Sequence, residues 1–391
     1  MKKILVVTTN LDLGGITSFV VNLTNFLANE GHKVTLMYTS DQKKIINRIS
    51  TSVNLVKFNT LSKKELVIKA ISKGFLLDLL KIKFRNHSKI SPISSAQKIH
   101  FINAKYSPKN SNIYDIAISS AEFFCNNYVA LNTNAKQKIG WIHPDYESLN
   151  VDVGFDRKTL DLLDQIVTVS TDCKNALLRK IPDYENKVLM IENILDYENI
   201  IERSKDQVKD FDNNFTGLNI VTVCRIDNSS KRLDRAVEAC KYLLDHNIII
   251  KWYLIGEGKD KKSLETMINN LGIQEHFIML GAKTNPYPYI RKADLFVLTS
   301  QYEGKPIVVD ESLILKCPVV VTNFKSAKEQ ISKDFGEVIS NNDSLVGSEL
   351  FELLSNNDNI NRWKNNLKTF EFDNSVTYYK IRGLVEEGKN D

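Results

Sequence analysis

The sequence predicts an α/β protein of two doubly wound domains that face each other across a cleft. Three observations predict it. Short, wholly apolar runs of strand length alternate with segments of helical periodicity through the first half of the chain. A second series of the same kind starts at about Gly217. Between them lies the polar stretch Glu202–Thr216. Strands that are apolar along their whole length belong to parallel sheets covered by helices on both faces, and two such series make two domains.

Lys3–Thr8 reads as the first strand. The helix after it carries Ile16, Phe19, Val20, Leu23, Phe26 and Leu27 at helical spacing, with Gly31 placed to stop it. Strands are expected at 34–38, 53–58, 113–119, 138–142, 165–169 and 187–191. One long helix is expected over 62–84, and others over 121–132 and 172–180. The second series reads as strands 218–223, 248–255, 277–280, 295–299 and 318–322, with helices over 232–244, 259–271, 306–315 and 327–331. Beyond Ser340 the pattern is helical. The division is therefore a first domain over 1–200, a linker over 201–216, a second domain over 217–370, and a C-terminal helix over 371–391 packing back on the first domain. Ligands of such sheets bind outside the carboxyl ends of the strands.

The 391 residues exceed one ordinary domain, and 42% hydrophobic with 25% charged residues excludes a disordered chain. No apolar run reaches the roughly 18 residues of a membrane span. MKKILVVTTN turns polar too early for a secretory leader. The five cysteines, Cys125, Cys173, Cys224, Cys240 and Cys317, have no CxxC spacing, so neither a disulfide framework nor a zinc site is indicated. A cytoplasmic location is expected. The net charge of +5 is uneven: Lys57–Lys109 holds twelve Lys or Arg against Glu65 and Asp78. Such a block fits an anionic surface or ligand, and a solvated Lys-rich helix gives the same count.

Three segments are suited to chemistry. In the loop after the first strand, Gly14-Gly15 precedes a helix, where backbone meets an anion closely; a tight turn needs the same glycines. Arg225 ends the first strand of the second domain, and Lys231 and Arg232 follow at a helix start. Cations are disfavoured at that end of a helix unless an anion answers them. The fullest signal is Thr299-Ser300-Gln301-Tyr302-Glu303-Gly304-Lys305-Pro306-Ile307-Val308-Val309-Asp310-Glu311. Pro306 suits a helix start. Glu303 falls in the loop ahead of that helix and Glu311 inside it. Carboxylates accept hydrogen bonds from sugar hydroxyls, and N–H groups at Gly304, Lys305 and Ile307 serve hydroxyl or phosphate oxygens. Two glutamates at this spacing also occur on solvated helices. The only Asp-x-Asp, Asp210-Phe211-Asp212, sits in the polar stretch, so no metal site is expected.

These residues resemble the retaining glycosyltransferases of family 4, which have the GT-B fold. The resemblance rests on Glu303 and Glu311 with seven residues between them, on the KCPVVVT over 316–322, and on the Arg225 and Lys231 pair. Gly256-Glu257-Gly258, Gly14-Gly15, Gly31-His32-Lys33-Val34 and Trp141-Ile142-His143 extend it through nearly the whole chain. It implies that Glu311 binds the ribose of a nucleotide and Glu303 lies by the donor sugar. It implies that Arg225 and Lys231 hold the diphosphate, that Gly15, Gly256 and Gly258 line the donor, and that the backbone at Gly304, Lys305, Pro306 and Ile307 grips the sugar. His143 then faces the reacting sugar. The implied activity needs no metal and no cofactor beyond a nucleotide diphosphate sugar. The implied partners are that donor, a UDP-sugar by preference, and a glycan or lipid-linked cell-surface acceptor. Nucleic acid is not implied. The basic block suits peripheral association with the inner face of an anionic membrane.

Some positions depart from the family pattern. Arg225 and Lys231 are six apart where five is commoner, Cys224 stands where glycine is common, and Gly-Lys-Pro follows Glu303 where many members have Gly-Phe-Gly. The rival readings are a degenerate transferase that only binds, and a nucleotide-sugar epimerase on the same fold. An NAD enzyme is disfavoured because no GxGxxG follows either first strand.

Overall fold

The computed structural model describes residues 1–41, 43–83, 93–212 and 214–386. The chain divides into two compact units: Met1–Ile194 with the segment that starts at Asn374, and Leu195–Asp373.

The first unit is built on one parallel sheet. Its strands are β1 (Lys3–Val7), β2 (Lys33–Tyr38), β3 (Asn54–Lys57), β4 (Ile113–Ser119), β5 (Asn134–Ile142), β6 (Gln165–Thr168) and β7 (Val188–Met190). They lie in the order β3-β2-β1-β4-β5-β6-β7. Ile4, Leu5, Val6 and Val7 are fully buried, as a central strand covered on both faces requires. Helix Gly15–Asn29 buries Phe19, Val20, Leu23 and Leu27 of its apolar stripe. Phe26 instead stacks on Tyr378, ring centroids 4.5 Å apart. Tyr378 belongs to helix Ser375–Glu386, which buries Ile381, Leu384 and Val385. Arg382 of that helix clasps Glu30 through two bonds of 2.8 and 3.0 Å. The C-terminal helix is thus part of the first unit.

The second unit holds β8 (Leu218–Val223), β9 (Ile250–Ile255), β10 (Phe277–Gly281), β11 (Leu295–Leu298), β12 (Val319–Thr322) and β13 (Gly336–Ile339). They form a parallel sheet in the order β10-β9-β8-β11-β12-β13. In both sheets the chain reverses its direction of travel beside the first strand, between β1 and β4 and between β8 and β11. Loops leaving the carboxyl ends of such a pair diverge to opposite faces and leave a crevice.

Several elements differ from the sequence reading. The expected helix over 62–84 is two helices, Lys63–Ser72 and Leu76–Lys83. Gly74 breaks it at φ +81°, and Phe75 N–H closes on Ala70 O at 2.9 Å. Phe84, Arg85 and Lys89 of that helix and the basic block lie outside the described residues. Helix Ile93–Tyr106 was not anticipated, because Ser95 and Gln97 are buried on it and leave no apolar stripe to read. Gln97 exchanges two 3.1 Å bonds with the Asp152 backbone, which satisfies its buried amide. Strand β13 stands just ahead of the region read as helical. The expected linker over 201–216 is corrected most. Helix Tyr197–Arg203 runs into it, Phe211 is buried against Tyr253 at 4.6 Å, and Asp210 and Asp212 pair with Lys283 and Lys251. One aromatic anchor and two answered carboxylates fold a polar stretch onto the second unit, so the boundary lies at Leu195.

Ile381 is 1% exposed, so Ile381→Ala is expected to cost about 3 kcal/mol of first-unit stability. Urea unfolding measures the loss, and limited proteolysis should then cut within the C-terminal helix first.

Candidate active site

The second unit gathers Arg225, Lys231 and Glu303 on the two loops that leave β8 and β11. After β8 the chain makes a tight turn, with Asp227 N–H on Arg225 O at 2.9 Å. Asp227 then caps the single-turn helix Asn228–Lys231 through Ser229 N–H at 3.2 Å. Arg232 follows in the left-handed region at φ 45° and starts helix Leu233–Asp245. That strained backbone costs on the order of 1 kcal/mol. It is held by the Arg232 side chain, which bonds Asp234 and, at 2.7 Å, Asp343. The loop after β11 locks onto this one. Thr299 Oγ1 donates toward Lys231 O and Arg232 O at 3.1 and 3.0 Å, and Gln301 N–H donates to Ser230 O at 2.8 Å.

The result is an ion pair between Lys231 and Glu303, their side chains 18% and 12% exposed. Ser300 Oγ donates to the same Glu303 oxygen at 2.6 Å. Lys231 is therefore not a solvated cation. The anion that answers it at this helix junction belongs to the protein. Arg225 is exposed and makes no side-chain ion pair among the described residues. Cys224 lies within the fields of Lys231, Glu303 and Arg225, and burial pushes its thiol up to about 12, so it stays protonated.

Gly256 and Gly258 back the same loop. A Cβ on Gly256 would stand 1.9 Å from Cys224 O, and one on Gly258 2.1 Å from Ile226 O. Both glycines thus have a steric reason inside the protein, at the wall that supports Arg225. Pro306 is the N-cap of helix Ile307–Ile314, and Gln330 Nε2 donates to its carbonyl at 3.1 Å. Gly304 and Ile307 are buried, and Lys305 is half-buried. The first N–H groups of a helix fall outside its own hydrogen-bond ladder and favour an anionic ligand. Glu311 is buried within the helix and accepts the Tyr287 hydroxyl at 3.0 Å. Arg203 lies over the Tyr287 ring at 4.9 Å.

Two predicted residues belong to the first unit. Gly15 opens helix Gly15–Asn29 behind Gly14, which sits at the carboxyl side of β1. His143 follows β5, and its Nε2 lies 2.9 Å from Ser120 O, past the end of β4. A carbonyl only accepts, so Nε2 carries the proton and Nδ1 is the acceptor of the neutral ring. Burial lowers the imidazole to about 4, opposed by that hydrogen bond. The ring is neutral near pH 7 and serves as a hydrogen-bonding group, not a cation.

The sequence reading gave no role to Ser300 or Tyr287. Ser300 directly follows Thr299 in the quoted motif, so its place was legible although its bond to Glu303 was not. Tyr287 lies on the short helix Tyr287–Lys292, preceded by Pro286, and carried no periodic signal. Among the described residues no group of three or more His, Cys, Asp or Glu side chains is placed to hold a metal ion.

Known proteins resemble this chain in sequence and in fold. Residues 204–370 match the family model of glycosyl transferases group 1. The N-acetylgalactosamine-N,N'-diacetylbacillosaminyl-diphospho-undecaprenol 4-alpha-N-acetylgalactosaminyltransferase of Campylobacter jejuni is 30% identical over 192 residues, 49% of this chain and 46% of that protein. The poly(ribitol-phosphate) alpha-N-acetylglucosaminyltransferase of Staphylococcus aureus is 27% identical over 231 residues, 58% of this chain and 45% of that one. The chain spans about half the length of these curated relatives. Anabaena HepE, solved with UDP and glucose, superposes with a TM-score of 0.69 at 12% identity, over 99% of this chain and 100% of that one. The fold is that of the GT-B glycosyltransferases. The match to the glycosyl transferases group 1 model lies within the second unit.

Lys231→Met leaves the Glu303 carboxylate in a largely buried place with Ser300 as its remaining partner. Urea unfolding is expected to show a loss of about 3 kcal/mol, part of it recovered when Glu303→Gln is added. A second expectation concerns pH. Between about 4 in the folded chain and the usual 6.5, the unfolded chain binds the His143 proton that the folded one refuses. First-unit stability therefore falls as pH drops from 6.5 toward 4, with no such loss above 6.5. His143→Gln should lose less stability between neutral and mildly acid buffer than the wild type. Equal losses in the two proteins would mean that the imidazole titrates normally.

Proposed function

We propose that this chain is a retaining, metal-independent glycosyltransferase. It moves a sugar from a nucleotide diphosphate sugar, by preference a UDP-sugar, to a hydroxyl of a glycan or lipid-linked cell-surface acceptor. One observation carries the reading: the loops after β8 and β11 bring Lys231 against Glu303 beside Arg225, with Glu311 on the adjoining helix. Departure of the diphosphate breaks the bond from its oxygen to the anomeric carbon and leaves negative charge on the phosphate. Arg225, Lys231 and the helix N-terminus at Ile307 answer that charge without rearranging, and one such group is worth about 10²–10³ in rate. Glu303, steered by Lys231 and Ser300, contacts the donor sugar. Glu311, steered by Tyr287, takes the ribose hydroxyls. In the first unit, His143 offers Nδ1 to a sugar hydroxyl and Gly15 approaches a phosphate.

The UDP held by Anabaena HepE supports the donor base. Relatives named for a diphospho-undecaprenol oligosaccharide and for poly(ribitol-phosphate) support a lipid-linked or polymeric acceptor. Such acceptors are met in the cytoplasm at a membrane surface, and the basic stretch Lys57–Lys109 is suited to it.

The test incubates the protein with UDP-, GDP- and ADP-sugars, with and without membrane extract, and reads free nucleotide diphosphate. Release from a UDP-sugar that needs extract and survives EDTA is expected, and proton couplings of the product should show the donor's anomeric configuration. Arg225→Ala and Lys231→Ala should each lower turnover at least tenfold. Near-wild-type turnover in both would overturn the site. Donor change without acceptor would mean an epimerase, and binding without release a degenerate transferase.

A further inference from the structure

We propose that Arg235 is a positioning residue, which fixes the Lys231–Glu303 pair from a distance by tying together the loops that leave β8, β11 and β13. Arg235 lies on helix Leu233–Asp245, four residues after Lys231, and is 2% exposed. Its helix neighbours Leu233, Ala236, Val237 and Leu243 are buried apolar side chains. A buried guanidinium is costly unless its donors are answered, and an apolar side chain of similar volume would fill this position with no such cost. Here every nitrogen is answered. Nε donates to Asp343 Oδ1 at 2.6 Å, Nη1 to Asn341 Oδ1 and, at 3.3 Å, to Thr299 O, and Nη2 to Gln301 Oε1 at 2.6 Å and Asn341 O at 3.2 Å. Thr299 and Gln301 follow β11, and Asn341 and Asp343 follow β13. The planar fork of arginine meets several acceptors in fixed directions, which neither an apolar side chain nor a lysine can match.

These acceptors bear on both halves of the pair. On the Glu303 side, Gln301 stands two residues ahead of the carboxylate. Arg235 holds its side chain, Asn341 Nδ2 donates to its carbonyl at 3.0 Å, and its own N–H reaches Ser230 O at 2.8 Å. On the Lys231 side, Asp343 is shared: Oδ1 takes Arg235 and Oδ2 takes Arg232 at 2.7 Å. Arg232 is the residue in the left-handed region, so Arg235 steadies, through Asp343, the side chain that keeps the backbone bent just after Lys231. Thr299 joins both sides, since its carbonyl accepts from Arg235 and its hydroxyl donates toward Lys231 O and Arg232 O. Arg235 thus acts on the pair through its neighbours. A misplacement of about 1 Å in a reacting group costs as much as about 10² in rate, so anchoring of this kind bears on turnover.

The inference rests on the reading of this pair as part of the donor site, and its first test needs no donor. The full chain is pulse-labelled with acetic anhydride at constant pH, and mass spectrometry reads the labelling rate of each lysine. Arg235→Met is expected to raise the rate at Lys231 roughly tenfold and to leave Lys364, paired with Asp294 in the same unit, unchanged. Gln301→Met replaces an exposed residue and removes one acceptor of the guanidinium. It should raise Lys231 labelling in the same sense with an unchanged melting curve, and it serves should Arg235→Met misfold. In the nucleotide diphosphate assay Arg235→Met should lower kcat roughly tenfold alone, yet less than about twofold when Lys231→Met is already present, as expected of a residue that acts through the pair. Lys231 labelling unchanged in both variants, labelling that rises equally at Lys364, or kcat losses that simply multiply would each overturn the proposal. Labelling that changes as expected in a chain that releases no nucleotide diphosphate would support the positioning role and overturn the transferase reading instead.

Discussion

Strands β8 and β11 are neighbours in a parallel sheet although β9 and β10 come between them in sequence. The Lys231–Glu303 pair of the second unit depends on that adjacency. The two loops leaving their carboxyl ends must start side by side and then send their helices to opposite faces. Each loop holds half of a charge pair, Lys231 on one and Glu303 on the other. Neither carries a partner for its own charge at this position, so the sheet order assembles the pair. The bonds from Thr299 to the backbone of Lys231 and Arg232, and from Gln301 to Ser230, then hold the loops in register.

A pair so enclosed gives little net stability by itself, because desolvating both charges offsets much of their attraction. Its value is geometric. Glu303 receives a lysine and a serine hydroxyl on one oxygen, which fixes the direction of the other. Glu311 is fixed in the same way by Tyr287. The two carboxylates are therefore pre-oriented, and a pre-oriented group needs no reorganisation when it meets a ligand. The supporting wall is equally rigid. Where Gly256 and Gly258 touch the backbone of Cys224 and Ile226, there is no room for even one carbon.

Most of the architecture was legible because buried parallel strands write themselves as unbroken apolar runs, as in ILVV of β1 and VVV of β12. The site was legible because its residues cluster just past those runs. What escaped the reading did so for local reasons. Helix Ile93–Tyr106 buries serine and glutamine, whose polarity hides the inward face. The stretch around Phe211 is polar by composition, yet a single ring and two ion pairs fold it. The helix around Tyr287 is short and proline-flanked. Above all, partners distant in sequence left no trace. Nothing near Lys231 announces Glu303, and nothing near Glu311 announces Tyr287.

The C-terminal helix that stacks Tyr378 on Phe26 makes the first unit discontinuous, while the second is one uninterrupted stretch. Chain synthesis therefore delivers the second unit whole before it delivers the piece that completes the first. Until then the surface that receives Ile381, Leu384 and Val385 stands uncovered on a nascent chain, although the sheet beside it has already emerged. The unit that comes first in sequence is the one that finishes last.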